Sequence, residues 1–192
     1  MAAASSPPLP RRIVVLGASG SGKSVLAERL ARALEVPFVE LDALFWEPGW
    51  VESSDEVFGA RISAALAGDA WVVAGSYRRL ATTLIWPRAD RIVCLDLPLH
   101  LTLRRLMGRI WRRWRTQELL WGTNVERFWP QFKVWDPKAS LVGFSISTHR
   151  SRRQQYLELI QDRTYAGRAL RLTTPRQVEA FAQQIEAGAR TR

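Results

Sequence analysis

The chain has 192 residues, 47% of them hydrophobic, with 28 Lys and Arg against 18 Asp and Glu, a net charge of +10 and a single cysteine. That apolar share is enough to bury the core of one domain, which excludes bulk disorder, and one thiol cannot form an internal disulfide. No apolar run approaches the roughly 18 residues that a membrane-spanning helix needs.

The opening MAAASSPPLPRR has no apolar stretch and carries its charge late. Residues 1–11 are therefore expected to be a disordered tail, not a secretion signal, and the cytoplasm is the expected compartment. Ile13-Val14-Val15-Leu16 is a short, wholly apolar run ending at Gly17, the pattern of a parallel strand buried on both faces. Residues 24–34 repeat apolar positions at helical spacing (Val25, Leu26, Leu30, Leu34), and Pro37 stops that helix. Phe38-Val39-Glu40-Leu41 reads as a second strand. Residues 54–67 read as a helix with Val57, Phe58, Ile62 and Leu66 inward, closed by Gly68. Trp71-Val72-Val73-Ala74 is a third buried strand and residues 91–96 a fourth, closed by Pro98, with Cys94 a small core residue. From Leu99 the pattern is helical to about Trp135 with a break near Gly122, and a further helix covers much of 150–163. Ala169-Leu170-Arg171-Leu172 is a fifth strand. Thr174-Pro175 then caps a last helix with Val178, Phe181 and Ile185 inward. Alternating strands and helices predict an α/β fold with a parallel sheet.

Gly17-Ala18-Ser19-Gly20-Ser21-Gly22-Lys23-Ser24 matches G-x-x-x-x-G-K-[ST] at every required position, between a buried strand and an amphipathic helix. Gly20 and Gly22 let the backbone curl so that its N–H groups face an anion, and the helix adds the positive end of its dipole. Lys23 is placed to reach the β- and γ-phosphates, and the Ser24 hydroxyl to hold Mg²⁺. Gly17 to Ser24, with the adjoining Val25, are thus the candidate ATP contacts.

With this loop in place, the sequence resembles the nucleoside monophosphate kinase branch of P-loop proteins, and within it the adenylate kinase-like "topology modulation" proteins of bacteria. The likeness runs from about Arg12 to Phe181 and rests on the loop, on LDALFWEPGW at 41–50, on WVVAGSY at 71–77, on ADRIVCLDLP at 89–98 and on TPRQV at 174–178. It implies a three-layer α/β/α domain over 12–187 with a five-stranded parallel sheet, an acceptor region at about 42–80, a basic helical lid region at about 104–153 and a short tail at 188–192. It also implies that Arg105 packs on adenine, that Arg109 contacts the transferring phosphates, and that Arg78 meets an acceptor phosphate. A guanidinium suits all three tasks because it stacks flat and donates in pairs. The family's third strand usually ends in Asp-Gly, with the aspartate helping to hold Mg²⁺ through water; here it is Ala74-Gly75. Asp42 is the expected substitute and a candidate general base, and Trp46, with Phe45 and Trp50, a candidate wall for the acceptor or else local core. Asp96 is expected to be structural.

Residues 100–155 carry twelve basic and three acidic groups and five of the nine tryptophans. Trp111 and Trp114 lie three apart among Arg109, Arg112, Arg113 and Arg115, which suits a lid closing over ATP, a helix packing tryptophan inward, or a surface that binds nucleic acid. Arg150, Arg152 and Arg153 are candidates to join from the next helix. The expected activity is transfer of the ATP γ-phosphoryl group to a small acceptor, a nucleotide among the candidates. A nucleotide binder with weak turnover and an ATP-dependent nucleic-acid-binding factor are the alternatives. The expected partners are ATP and that acceptor, with nucleic acid second and no membrane; the chain is a monomer or an oligomer of unknown order.

Overall fold

The computed structural model describes residues 9–136 and 140–191. Its centre is a five-stranded sheet: β1 (Arg12–Gly17), β2 (Phe38–Glu40), β3 (Trp71–Ala74), β4 (Arg91–Leu95) and β5 (Ala169–Leu172). The spatial order is β2-β3-β1-β4-β5 and every pairing is parallel. Because side chains alternate across a strand, the run in β1 serves both faces of the sheet. Ile13 and Val15 join Leu26, Leu30, Val72, Val93, Phe181 and Ile185 on one side. Val14 and Leu16 join Phe58, Ile62, Trp71, Val73, Ile92 and Cys94 on the other. Burial pushes the Cys94 thiol up to about 12, as suits a packed, unreactive core residue.

The first face is covered by α1 (Lys23–Leu34) and α7 (Pro175–Arg190), which Arg29 ties together through Glu179 at 2.7 Å and Glu186 at 2.6 Å. Thr174 closes a full capping box with Gln177. The second face carries α3 (Asp55–Ala65), capped by Ser54, and α4 (Arg78–Leu84). With them are α5 (Leu99–Thr116) and α6 (Leu141–Gln161), whose Tyr156 and Leu159 reach the core. A short helix α2 (Leu41–Phe45) follows β2 directly and leads into a two-stranded ribbon, Trp46–Glu47 against Val51–Glu52. Among the described residues, no helix is long and apolar enough to cross a membrane.

Several boundaries depart from expectation. Leu41 starts α2 instead of ending β2, and neither α2, the ribbon nor α4 is anticipated by periodicity. Val25 is 73% exposed and Val57 42% exposed; Leu26, Ala27, Leu30 and Ala31 form the buried stripe of α1 instead. The long helix from Leu99 stops at Thr116, with Gln117 left-handed (φ 49) and the Glu118 N–H returning to the Arg113 carbonyl at 3.1 Å. Tryptophans at 121, 129 and 135 continue an apolar rhythm beyond that point, but they belong to a second ribbon (Leu119–Leu120 against Asn124–Val125), a 3₁₀ turn and a loop. Ser140 caps α6, so that helix begins at Leu141 and not near 150. At the chain's end α7 continues to Arg190, beyond the expected limit at 187. Leu9, expected in the tail, packs against it near Gly188. The rest of that tail, residues 1–8, lies outside the described residues.

Candidate active site

The strand order reverses around β1, with β3 on one side and β4 on the other, and such a switch point leaves a crevice beyond the carboxyl ends of the strands. The Gly17–Ser24 loop fills it. Gly20 and Gly22 are left-handed, with φ of 82 and 88, which turns successive peptide N–H groups inward as an anion cradle requires. Gly20 also lies flat on α5: a Cβ there would sit 2.2 Å from the Thr102 carbonyl oxygen. Ser19 and Gly20 form the turn, and the Ser21 N–H closes it on the Ala18 carbonyl at 3.0 Å. The Gly17 peptide is clamped by Ser76, whose Oγ accepts its N–H and donates to its carbonyl, both at 3.3 Å. Arg152 of α6 donates to the same carbonyl at 3.2 Å.

Lys23 opens α1 among charges of both signs. Burial lowers its proton affinity most, Asp42 and Glu40 oppose that, and Arg109 and Arg152 add to it. Those causes put Lys23, Glu40, Asp42, Arg109 and Arg152 in one neighbourhood. Arg109 is half-buried on α5, its Nε is buried without a hydrogen-bond partner among the described residues, and burial and Arg113 weaken its hold on its proton. A half-buried guanidinium of this kind is chemically suited to an anion. Arg105, one turn earlier, is exposed, with an Nη about 4 Å from where a Gly22 Cβ would stand.

Glu40 is the residue that sequence reasoning missed. Its Oε1 accepts the Ser24 hydroxyl at 2.7 Å. Glu40 is the register partner of Ala74 across the β2–β3 ladder, so a carboxylate absent at the end of β3 is present at the same level one strand over. Asp42 Oδ1 accepts the Tyr77 hydroxyl at 2.7 Å, and burial followed by Asp42 drives the Tyr77 proton affinity upward. A charged residue closing an otherwise apolar strand was the available signal, but the pairing that puts it beside Ala74 is not a local property.

The Ser24 hydroxyl spends its proton on Glu40 and keeps its lone pairs for a ligand. No group of three His, Cys, Asp or Glu side chains fit to hold a metal occurs among the described residues. A hydroxyl and a carboxylate completed by water and phosphate oxygens match what Mg²⁺ takes, so these residues fit that ion.

Arg78 begins α4 and, with Arg152, Ser76, Trp86 and Tyr156, lines a cavity of about 200 Å³ beside the base of the loop. The Trp86 indole nitrogen is buried without a hydrogen-bond partner among the described residues, and the buried Tyr156 hydroxyl lies under the influence of Arg152. A larger cavity of about 450 Å³, between Trp50 and residues 114–130, touches none of the loop residues. Trp46 sits in the first ribbon, half-buried, with ring centroids 5.0 Å from Phe45 and 5.6 Å from Trp50, and lines neither cavity. Asp96 binds Arg171 through two nitrogens and lies 3.7 Å from Arg153, a structural arrangement.

On α5 the inward residues are Thr102, Leu106 and Ile110, not the tryptophans. Trp111 is 48% exposed, and Trp114 stacks on Phe128 at 5.0 Å. Arg113 turns in toward Glu118 (3.3 Å) and the buried Glu126 (3.6 Å). Burial, opposed by Arg109 and Arg113, raises the Glu126 carboxyl above its ordinary range. The unfolded chain then loses this proton first, so folding binds a proton and stability falls as pH rises from about 4.3 toward the folded value. A Glu126→Gln chain lacks that slope. Urea unfolding at pH 4 and pH 7 should show its stability rising relative to native protein at the higher pH, and a relative fall would contradict the assignment.

No protein-family model and no curated protein matches this sequence. Among solved structures, the chain is similar to a gluconokinase from Sinorhizobium meliloti 1021 at a TM-score of 0.51 and 21% identity, covering 96% of this chain and 94% of that one. It is also similar to a shikimate kinase from Bacteroides thetaiotaomicron at a TM-score of 0.50 and 19% identity, covering 93% of this chain and 97% of that one. With its parallel five-stranded sheet and glycine loop at the switch point, the chain has the fold of the P-loop kinases.

Proposed function

We propose that this chain is an adenylate kinase-like small-molecule kinase, related to the "topology modulation" proteins, that moves the γ-phosphoryl group of ATP to a hydroxyl or phosphate oxygen of a small anionic acceptor. The observation that carries the reading is the cluster at the end of β1. A cradle of backbone amides, the Ser24–Glu40 pair, and Lys23 within electrostatic reach of the half-buried Arg109 support a site for a triphosphate and its metal. Lys23 and the loop amides hold the phosphates, and Arg105 covers the base. Ser24 and Glu40 would hold Mg²⁺, which when bound would neutralise phosphate charge. Arg109 balances the charge on the moving group, so catalysis is positioning and electrostatics. Asp42, oriented by the Tyr77 hydroxyl, takes the proton from an acceptor hydroxyl as its oxygen bonds to the γ-phosphorus. The bond from that phosphorus to the bridging oxygen breaks, and its electron pair leaves with ADP. Arg78 and Arg152, on one cavity beside the loop, favour an acceptor with a carboxylate or phosphate.

Labelled ATP offered with nucleoside monophosphates, nucleosides and sugar acids tests this reading. One class should accept label, and Asp42→Asn should lower kcat about 10²-fold while the KM for ATP stays within about twofold. Native turnover equal to that of Lys23→Ala would overturn it.

Nucleic acid is the second reading, favoured by the exposed Trp111, with Arg115 over its ring, and by the exposed Trp129 and Trp135. Arg113 turns in to Glu118 and the buried Glu126, whereas Arg112 meets Glu118 only at 3.9 Å from a largely exposed side chain, so the phosphate contacts would fall to Arg112 and Arg115. Binding of single-stranded DNA should weaken steeply with salt and on neutralising those two, and indifference to both would remove this reading.

A further inference from the structure

The Glu40 carboxylate is held from two sides. Oε1 accepts the Ser24 hydroxyl at 2.7 Å, and Oε2 accepts the indole N–H of Trp121 at 3.1 Å, from 81 residues further along the chain. Trp121 sits at the tip of the second ribbon. Its φ is 49, that of Gly122 is 78, and the Thr123 N–H closes the turn on the Leu120 carbonyl at 3.0 Å. Two left-handed residues in succession mark the tight hairpin turn that favours Asn or Gly, so a tryptophan there is strained. Strain of this kind persists only where the surroundings fix it.

The surroundings do so here. The Trp121 ring meets Trp50 edge to face at 5.8 Å. The Trp50 backbone N–H donates to Asn124 Oδ1 at 2.9 Å, and its indole N–H donates to the Val125 carbonyl at 3.0 Å. The amide of Asn124, itself 1% exposed, donates to the Glu47 carbonyl at 3.1 Å. The two ribbons form one clamp, and Trp121 carries it to the carboxylate beside Ser24.

We propose that Trp121 is a positioning residue whose indole N–H fixes the Glu40 carboxylate in the orientation that serves Ser24 and a bound Mg²⁺, so that docking of the second ribbon and assembly of the metal site are one event. This rests on the kinase reading above. A carboxylate held only at Oε1 turns freely about its last torsion, whereas one held at both oxygens is already ordered when the metal–nucleotide complex arrives. The gain belongs to the metal complex and not to nucleotide alone, because Glu40 repels a bare triphosphate.

Trp121→Phe keeps the ring and removes the donor. Calorimetric titration should show its affinity for Mg·ATP falling about 10-fold, while its affinity for ATP in EDTA stays within about twofold of the native value. In nucleotide-free protein, hydrogen exchange at the amides of 119–125 should accelerate in both Trp121→Phe and Glu40→Ala, with the double variant no faster than either. Equal losses with and without metal would reduce Trp121 to a structural role and overturn the proposal, as would exchange that ignores Glu40→Ala. Native protein that binds Mg·ATP normally, with Trp121→Phe unchanged, overturns this proposal alone. Native protein that binds no Mg·ATP overturns the kinase reading, and the proposal falls with it.

Discussion

Replacing Lys23 with alanine should reduce phosphoryl transfer at least about 10³-fold, close to 4 kcal/mol of transition-state stabilisation, without unfolding the protein. The lysine opens α1 at the mouth of the amide cradle, where burial opposes its charge and Asp42 and Glu40 support it. In the absence of phosphates that ammonium is poorly compensated, so the fold gains little from it. A triphosphate supplies the missing counter-charge in a place where water cannot. Stopped transfer assays together with circular dichroism separate the two effects. A folded Lys23→Ala protein retaining more than about a tenth of native turnover would contradict the role given to this residue.

Gly20→Ala should be the most damaging single methyl in the loop. A Cβ at this position would lie 2.2 Å from the Thr102 carbonyl oxygen and 3.0 Å from the Leu106 nitrogen, both backbone atoms of α5 that no rotamer change can move. The left-handed backbone adds its own penalty. Together, overpacking and the left-handed conformation cost about 2–5 kcal/mol. Gly49→Ala is the matched comparison: its φ is 78, and nothing lies within 4 Å of a Cβ there, so it bears the conformational cost alone, about 1–2 kcal/mol. Urea unfolding of the two variants should separate them, and nucleotide binding should disappear only in Gly20→Ala. Equal midpoints would mean that the loop does not rest on α5 as described.

The strands and the phosphate loop were legible because their signals are local. A strand buried on both faces reads as an unbroken β-branched run, and β1, β3 and β4 fall where those runs stand. The loop's glycines stand where its backbone must be left-handed. Arg152 could be named from its place in the basic segment, but only tertiary packing reveals that it reaches the Gly17 carbonyl while its neighbour Arg153 turns to Asp96. Glu40 is a product of strand register, which sets it level with Ala74. The partnership of Trp121 with Glu40 spans 81 residues and leaves no periodic trace. Over 117–135 the expected helix fails for one cause. Tryptophan spacing there satisfies a helical pattern, but the segment spends its aromatic residues on a ribbon, on Trp50 and on the stack between Trp114 and Phe128. Short elements such as α2 and α4, of five and seven residues, are too brief to establish a period at all.

The most direct measurement is a calorimetric titration of Mg·ATP into folded native protein and into Lys23→Ala side by side. Saturable one-to-one heat in the native protein, weakened at least about 100-fold by the substitution, is the result expected of a phosphate cradle at residues 17–24. Two indistinguishable titrations, whether both flat or both saturating, would contradict it.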